Sequence, residues 1–162
     1  MYNFITFRTY DSVDEYVKKL NYQDIATKIK QYNIDSYLDT SNKGAYLNGD
    51  IIDIIKKLLF EYDGEYYDLV SFAIMPNHIH MLILPKQKLS VIMKMLKGNS
   101  AININKLLDK KGRFWAREYY DRVVRDEKQF YNTIEYILNN PIKVNLIDSE
   151  NRVYCNTDFS RY

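Results

Sequence analysis

The chain's only two histidines, His78 and His80, sit one residue apart in the apolar run SFAIMPNHIHMLILP, Ser71 to Pro85. On an extended strand, residues i and i+2 point to the same face, so the imidazoles stand side by side with Cβ atoms roughly 6.5 Å apart, two rises of about 3.3 Å. So placed, they can grip one divalent cation. Buried among Ile79, Met81, Leu82 and Ile83 without a shared ligand, each ring needs its own hydrogen-bond partner or it lowers stability. Two readings therefore stand: hydrogen-bonded core histidines, or a metal site. A closed structural zinc site normally takes four N or S ligands, and the chain adds only Cys155 to its two histidines. A metal held here would sit in an open site completed by oxygen ligands, the form that suits catalysis.

A second grouping lies in EYILNNPIKVNLI, Glu135 to Ile147. Tyr136 and Asn140 are i and i+4, so on a helix they share one side, in line with Gln129 and Thr133 and beside an apolar face of Phe130, Ile134 and Ile137. Taken alone this is ordinary, since the chain has 16 tyrosines and Asn before Pro commonly ends a helix. With the imidazoles it describes one chemistry: a cation polarises a phosphodiester while a phenol attacks phosphorus. A phenol of pKa about 10 needs help to lose its proton. Its advantage lies in the product, a phosphotyrosine bond that a later 3′-hydroxyl can attack, so that a strand is cut and rejoined without a high-energy cofactor.

The elements that must position these groups follow from periodicity. YNFITFRT, Tyr2 to Thr9, reads as a strand. Ser12-Val13-Asp14-Glu15 reads as a capping box opening a helix through Leu20. Residues 21 to 48 mix weak helical signals with a turn-like TSNKG and receive no assignment. Asp50 is the expected N-cap of a helix whose stripe is Ile51, Ile54, Ile55, Leu58, Leu59 and Tyr62, ended at Asp63-Gly64. Strands Tyr66 to Met75 and His78 to Leu84 should pair through a tight Pro76-Asn77 turn. Leu89, Met93, Leu96, Ser100, Asn103 and Leu107 mark a long helix with a possible bend at Gly98-Asn99; Glu118 to Val124 reads as the last strand. Asp126 to Gln129 resembles a capping box, and Pro141 should stop the helix it opens. The order strand, helix, strand, strand, helix, strand, extra helix predicts one α+β, ferredoxin-like domain over residues 1–162: an antiparallel sheet with helices packed on it.

Composition bounds the rest. At 162 residues and 46% hydrophobic, the chain can bury one good core. A start without a basic or apolar leader, no membrane-length apolar run and one cysteine together predict a cytoplasmic protein. Net charge is only +2, yet residues 86–128 carry 12 Lys/Arg against 5 Asp/Glu, which predicts a basic face suited to a polyanion.

The HIH triplet is similar to the HUH motif (His, bulky apolar, His) of single-strand endonucleases. MPNHIHMLI, LKGNSAININ, FWAREYYDRVVRDE and YILNNPIKVNLI, in that order, resemble the REP-associated tyrosine transposases, relatives of the small single-tyrosine insertion-sequence transposases. The match runs from about Tyr66 to Ile147; the first 50 residues and the tail match least. The resemblance implies a ferredoxin-like HUH fold in which His78, His80 and Asn140 bind Mg²⁺ or Mn²⁺ and Tyr136 forms a 5′-phosphotyrosine link. It also implies a single-stranded DNA substrate bearing a palindromic hairpin. The insertion-sequence relatives usually carry Gln where this chain has Asn140, which favours the REP-associated branch and with it a monomer over a dimer that exchanges tyrosine helices. Lys94, Lys97, Arg113, Arg117, Arg122 and Arg125 lie in sequence between the two motifs and are the expected DNA-backbone contacts. Arg122 and Arg125 could pair instead with Asp121 and Asp126. Trp115, the only tryptophan, is either a base-stacking platform or an anchor for the last strand.

Overall fold

A computed structural model describes residues 1–21 and 26–156 of the chain. Five strands, β1 (Tyr2–Thr9), β2 (Tyr67–Ile74), β3 (His78–Pro85), β4 (Trp115–Val124) and β5 (Val153–Cys155), form one antiparallel sheet in the order β4-β1-β3-β2-β5. The helices are α1 (Glu15–Asn21), α2 (Thr27–Thr40), α3 (Asp50–Glu61), α4 (Leu89–Leu108) and α5 (Glu127–Lys143). With α3 and α4 as the two crossovers, β1 to β4 make the ferredoxin-like arrangement expected from the order of elements. To it are added α1 and α2, inserted after β1, and α5 with β5, appended after β4.

The alternation of β3 decides what each sheet face does. Ile79, Met81 and Ile83 point into a large apolar core with Ile51, Ile52, Ile55, Leu58 and Leu59 of α3 and Ile92, Met93, Leu96 and Ile104 of α4. On the other face, Leu82 joins Phe4, Val70, Ala73 and Val124 under Phe130, Ile134 and Ile137 of α5. His78 and His80 share that second face. The antiparallel register sets Thr6 beside His80 and Arg8 beside His78.

The β2–β3 hairpin closes as expected: the Met75 N–H donates to the His78 carbonyl at 2.8 Å, leaving Pro76-Asn77 as the loop. Asp126 caps α5, its Oδ1 accepting from the Gln129 N–H at 2.8 Å while the Gln129 side chain accepts from the Arg125 N–H at 3.0 Å. Several boundaries depart from the sequence reading. Ser12 does not cap α1, because its hydroxyl donates to the Thr9 carbonyl; Asp14 is the cap, accepting from the Val17 N–H at 3.1 Å. Asp50 is the first residue of α3 rather than its cap, a place occupied by Gly49. On α4 the buried stripe runs through Ile92, Met93, Leu96, Ser100 and Ile104 and leaves Leu107 exposed, and the helix is continuous through Gly98-Asn99.

Strand β4 begins at Trp115, three residues before the expected start. Pro141 does not stop α5, which runs on to Lys143. A proline lacks the N–H for the preceding turn and crowds its carbonyl, but its own carbonyl still accepts, and the Leu146 N–H donates to it at 3.1 Å.

Two linkers are held by single residues. Gly44, at φ +66, lies so close to β1 that an added Cβ would meet Thr9 Oγ1 at 2.2 Å and Ser12 N at 2.6 Å, so only glycine fits. Arg152, 2% exposed, donates from Nη1 to the carbonyls of Leu47 and Ile74 (both 2.9 Å) and from Nη2 to Asn48 Oδ1 at 2.6 Å, while Nε pairs with Asp148 at 2.7 Å. The segment left unassigned at 21–48 contains α2, with residues 22–25 outside the described part, as are residues 157–162 of the tail.

Candidate active site

His78 and His80 are both fully buried, with ring centroids 4.8 Å apart and planes nearly perpendicular. Each ring is oriented through Nδ1. Asn77 donates its amide to the carbonyls of Leu38 (3.0 Å) and Ser41 (3.2 Å), which turns its Oδ1 toward His78 Nδ1 at 2.7 Å. Thr6 Oγ1 meets His80 Nδ1 at 2.7 Å. Asn77 Oδ1 can only accept, which places the His78 proton on Nδ1 and a lone pair on Nε2; the Thr6 hydroxyl, able to accept as well as donate, is compatible with the same tautomer of His80. Both Nε2 atoms are buried without a hydrogen-bond partner among the described residues. Burial, with the nearby positive charges of Arg8 and Lys143, drives the His78 pKa down to about 3; burial and the neighbouring His78 drive His80 well below its usual value. Both rings are therefore neutral at pH 7, as ligation requires.

Helix α5 brings Tyr136 and Asn140 to the same place. The Tyr136 ring stands edge-on to His80 at 5.4 Å and to Phe4 at 6.0 Å. Asn140 is buried, donates its amide to the Tyr136 carbonyl at 3.0 Å, and is left with an unpartnered Oδ1. The four residues singled out from the sequence, His78, His80, Tyr136 and Asn140, thus lie together on one sheet face.

Helix α2 supplies what the sequence reading missed. The Tyr136 hydroxyl donates to Asp35 Oδ2 at 3.1 Å, and Gln31 Nε2 donates to Asp35 Oδ1 at 2.7 Å. Asp35, His78 and His80 can each offer a ligand atom within 4.8 Å of the others. One turn on, Asp39 Oδ1 is 3.9 Å from His78 Nε2 and its Oδ2 is 3.5 Å from Lys143 Nζ, with neither oxygen accepting a hydrogen bond. Burial raises both carboxyls, Asp35 to about 7 against the pull of its two hydrogen bonds, and Asp39 against the pull of Lys143. Burial and the Asp35 charge push the Tyr136 phenol well above its usual value. Buried acceptors without donors are unfavourable unless something positive sits among them. Two imidazole nitrogens, an amide oxygen and a carboxylate fit a divalent cation that accepts mixed N and O ligands.

The basic residues divide between the faces. Lys94, Lys97, Arg113 and Arg117 line a groove of about 600 Å³ between α4 and β4, on the side away from the imidazoles. Arg122 alone enters the tyrosine side, its guanidinium 5.6 Å above the Phe4 ring and 3.4 Å from Thr133 Oγ1, in a cleft with Tyr136 and Asp35. Arg125 is exposed at the start of α5, and neither it nor Arg122 makes an ion pair with Asp121 or Asp126. Trp115 is an anchor: it is 4% exposed, its Nε1–H donates to Ser100 Oγ at 2.8 Å, and its ring packs against Phe7 and Phe114. No ring face is left for a base.

Residues 28–140, from the first turn of α2 to Asn140, match the family model described as "Transposase IS200 like". The chain belongs to the IS200-like transposase family. A Haemophilus influenzae protein assigned to the REP-associated tyrosine transposases is 27% identical over 48% of this chain and 51% of its own length. A second protein of the same bacterium is 29% identical over 44% of this chain and 53% of its own length. The chain thus spans about half the length of the curated relatives it matches. Among solved structures, a REP-associated tyrosine transposase bound to a REP hairpin superposes with a TM-score of 0.53 at 13% identity, covering 91% of this chain and 70% of that one. A transposase-like crystal structure from Deinococcus radiodurans gives 0.51 at 17% identity, covering 86% and 90%. Both likenesses are of fold, and the fold is the ferredoxin-like HUH arrangement predicted from the sequence.

Proposed function

We propose that this IS200-like transposase nicks and rejoins single-stranded DNA carrying a palindromic hairpin, with Tyr136 as nucleophile and His78, His80 and Asn140 as ligands of Mg²⁺ or Mn²⁺. The observation that carries the reading is the meeting of two unpartnered imidazole nitrogens with a phenol on a separate element, 5.4 Å from ring to ring. Two carboxylates border the ligand set: Asp35 offers an oxygen within 4.8 Å of a ligand atom of each histidine, and Asp39 Oδ1, free of hydrogen bonds, lies 3.9 Å from His78 Nε2. When bound, a divalent cation supplies Lewis-acid polarisation of the phosphodiester and neutralises charge on the leaving oxygen.

The side chains do the rest. Asn77 and Thr6 fix the imidazole planes, and Asp35 holds the Tyr136 hydroxyl. As the Tyr136 oxygen bonds to phosphorus, its proton passes to Asp35, whose carboxyl near pKa 7 accepts it at neutral pH. The P–O3′ bond breaks and the leaving oxygen takes a proton from solvent water, leaving a free 3′-hydroxyl and the 5′-phosphate on tyrosine. Reversal with another 3′-hydroxyl rejoins the strand. One chain brings tyrosine and histidines together, which supports action as a monomer. The hairpin substrate is carried over from the relative solved with one. The groove of Lys94, Lys97, Arg113 and Arg117, with Arg122 and Arg125 on other surfaces, supplies the charge for its backbone. We place the activity in the cytoplasm; no helix of the described residues is long and apolar enough to cross a membrane.

One observation favours a second reading: an Asp35 that can take a proton from tyrosine can equally take one from water, which would make the protein a metal-dependent phosphodiesterase. Labelled hairpin oligonucleotides incubated with Mn²⁺ separate the two. The tyrosine reading expects a covalent protein–DNA band that Tyr136→Phe abolishes; cleavage surviving in Tyr136→Phe would establish the hydrolase, and binding without cleavage would leave a DNA-binding module.

A further inference from the structure

Two arginines are more than nine-tenths buried, and they are treated in opposite ways. Arg152 is matched at every turn, by Asp148, two carbonyls and an asparagine. Arg8, 8% exposed, makes no hydrogen bond and no ion pair with any described residue, and its Nε is walled off from solvent. A guanidinium buried at Nε, with no hydrogen bond or ion pair of its own, leaves its terminal nitrogens free to take an anion; burial draws its pKa down, against the more distant negative charges of Asp35 and Glu118.

Its place indicates which anion. Arg8 stands on β1 directly beside His78 in the sheet register. Its side chain lines a cavity of about 370 Å³ with Lys18, Arg113, Arg117, Asp11 and Glu118. Asp11 is already engaged, by Lys110 at 3.4 Å and the Tyr46 hydroxyl at 2.5 Å, and Glu118 is exposed and beyond ion-pair distance of Arg8. Arg113, Ala116 and Arg117 line both this cavity and the basic groove of Lys94 and Lys97, so the two adjoin, and Arg8 is the cavity residue that stands beside a histidine in the sheet. The planar fork of a guanidinium matches two oxygens of one phosphate.

We infer that Arg8 is a phosphate clamp, taking the oxygens of a backbone phosphodiester next to the one attacked by Tyr136 as the single strand passes from Arg113 and Arg117 to the histidines. The inference rests on the proposed single-strand activity; replacing Arg8 by methionine removes no hydrogen bond or ion pair among the described residues, only the longer-range attraction of Asp35 and Glu118.

The test compares wild type, Arg8→Met and Arg8→Lys without added metal, by titrating hairpin oligonucleotides at several salt concentrations. A series with one methylphosphonate at a time in place of each phosphate locates the contact. Arg8→Met should melt no lower than wild type, bind about 10-fold more weakly, and show a salt slope reduced by about one, while Arg8→Lys recovers the slope but not the full affinity. One methylphosphonate should weaken wild type and leave Arg8→Met unaffected. Unchanged affinity and slope in Arg8→Met, or a wild type indifferent to every methylphosphonate, overturns the clamp. A large loss of melting temperature in Arg8→Met with DNA affinity intact also overturns it and makes Arg8 structural. The proposed activity fails separately, by absence of the Tyr136 adduct. If inorganic phosphate raises the melting temperature of wild type but not of Arg8→Met while no strand binds, the DNA ligand is overturned and a free anion takes its place.

Discussion

The two faces of the sheet are made from the same strands and differ in almost everything else. Ile79, Met81 and Ile83 are sealed under α3 and α4 in an uninterrupted apolar layer. Their neighbours His78 and His80 look the other way, into a pocket where burial is as complete but acceptors outnumber donors. One face thus lowers the free energy of the fold, and the other spends part of that gain on holding groups poised for a cation and a phosphate. A period of two along a single strand lets eight residues serve both ends.

The largest contrast should come from β3 itself. Replacing His78 and His80 with glutamine is expected to reduce Mn²⁺-dependent adduct formation by about 10³-fold or more, and to remove the Mn²⁺-induced rise in melting temperature. Met81→Ala, one residue away but facing the other core, should cost about 2–5 kcal/mol in a urea melt and leave Mn²⁺ affinity unchanged. If Met81→Ala weakens metal binding as much as the histidine change does, the faces are not independent.

A smaller effect should follow from Asn77→Ala, which unties the hairpin turn from the end of α2 and frees His78 Nδ1. We expect about 1–3 kcal/mol of lost stability and Mn²⁺ affinity lower by about 10–100-fold, read by calorimetry.

The smallest effect is in the acid response of the metal-free protein. The histidines, at about 6.5 unfolded and far lower when folded, contribute stability that is full above pH 6.5 and is lost as pH falls through the window below it. Asp35, at about 7 folded against 3.8 unfolded, acts in the opposite sense, its contribution lost as pH rises from about 4 to 7. Two histidines outweigh one aspartate, so between pH 4.5 and 6.5 Asp35 offsets only about half of the loss that the histidines cause on acidification in wild type. Asp35→Asn should therefore uncover a steeper loss on acidification, and the double glutamine variant should invert the slope, both measured by urea melts across that range.

Much of this site was legible in the sequence because its residues carry local signals. A period-two strand placed His78 with His80, and helical i,i+4 spacing placed Tyr136 with Asn140. The opposing carboxylates were not legible. On α2 the buried positions are Gln31, Ile34, Asp35 and Leu38, half of them polar, so no apolar stripe announced a helix and the segment received no assignment. Only the fold reveals that this inserted helix lies across the active face. The basic run was legible as a set of expected DNA-backbone contacts but not in its distribution: strand alternation and the path of α4 carry four of the six cations to the side away from the imidazoles. Trp115 likewise was set inward by strand alternation, with Ser100 waiting for its N–H.

The guanidinium of Arg152 ties the loop at Leu47 and Asn48 to the end of β2, within a few residues of the turn that presents His78. Leu47 in turn reaches that turn through its N–H to the Pro76 carbonyl at 2.9 Å. A protease clip ahead of Arg152, more than 60 residues downstream of the histidines, would therefore slacken the metal-binding hairpin while leaving every reacting group intact, giving the far end of the chain the character of a drawstring.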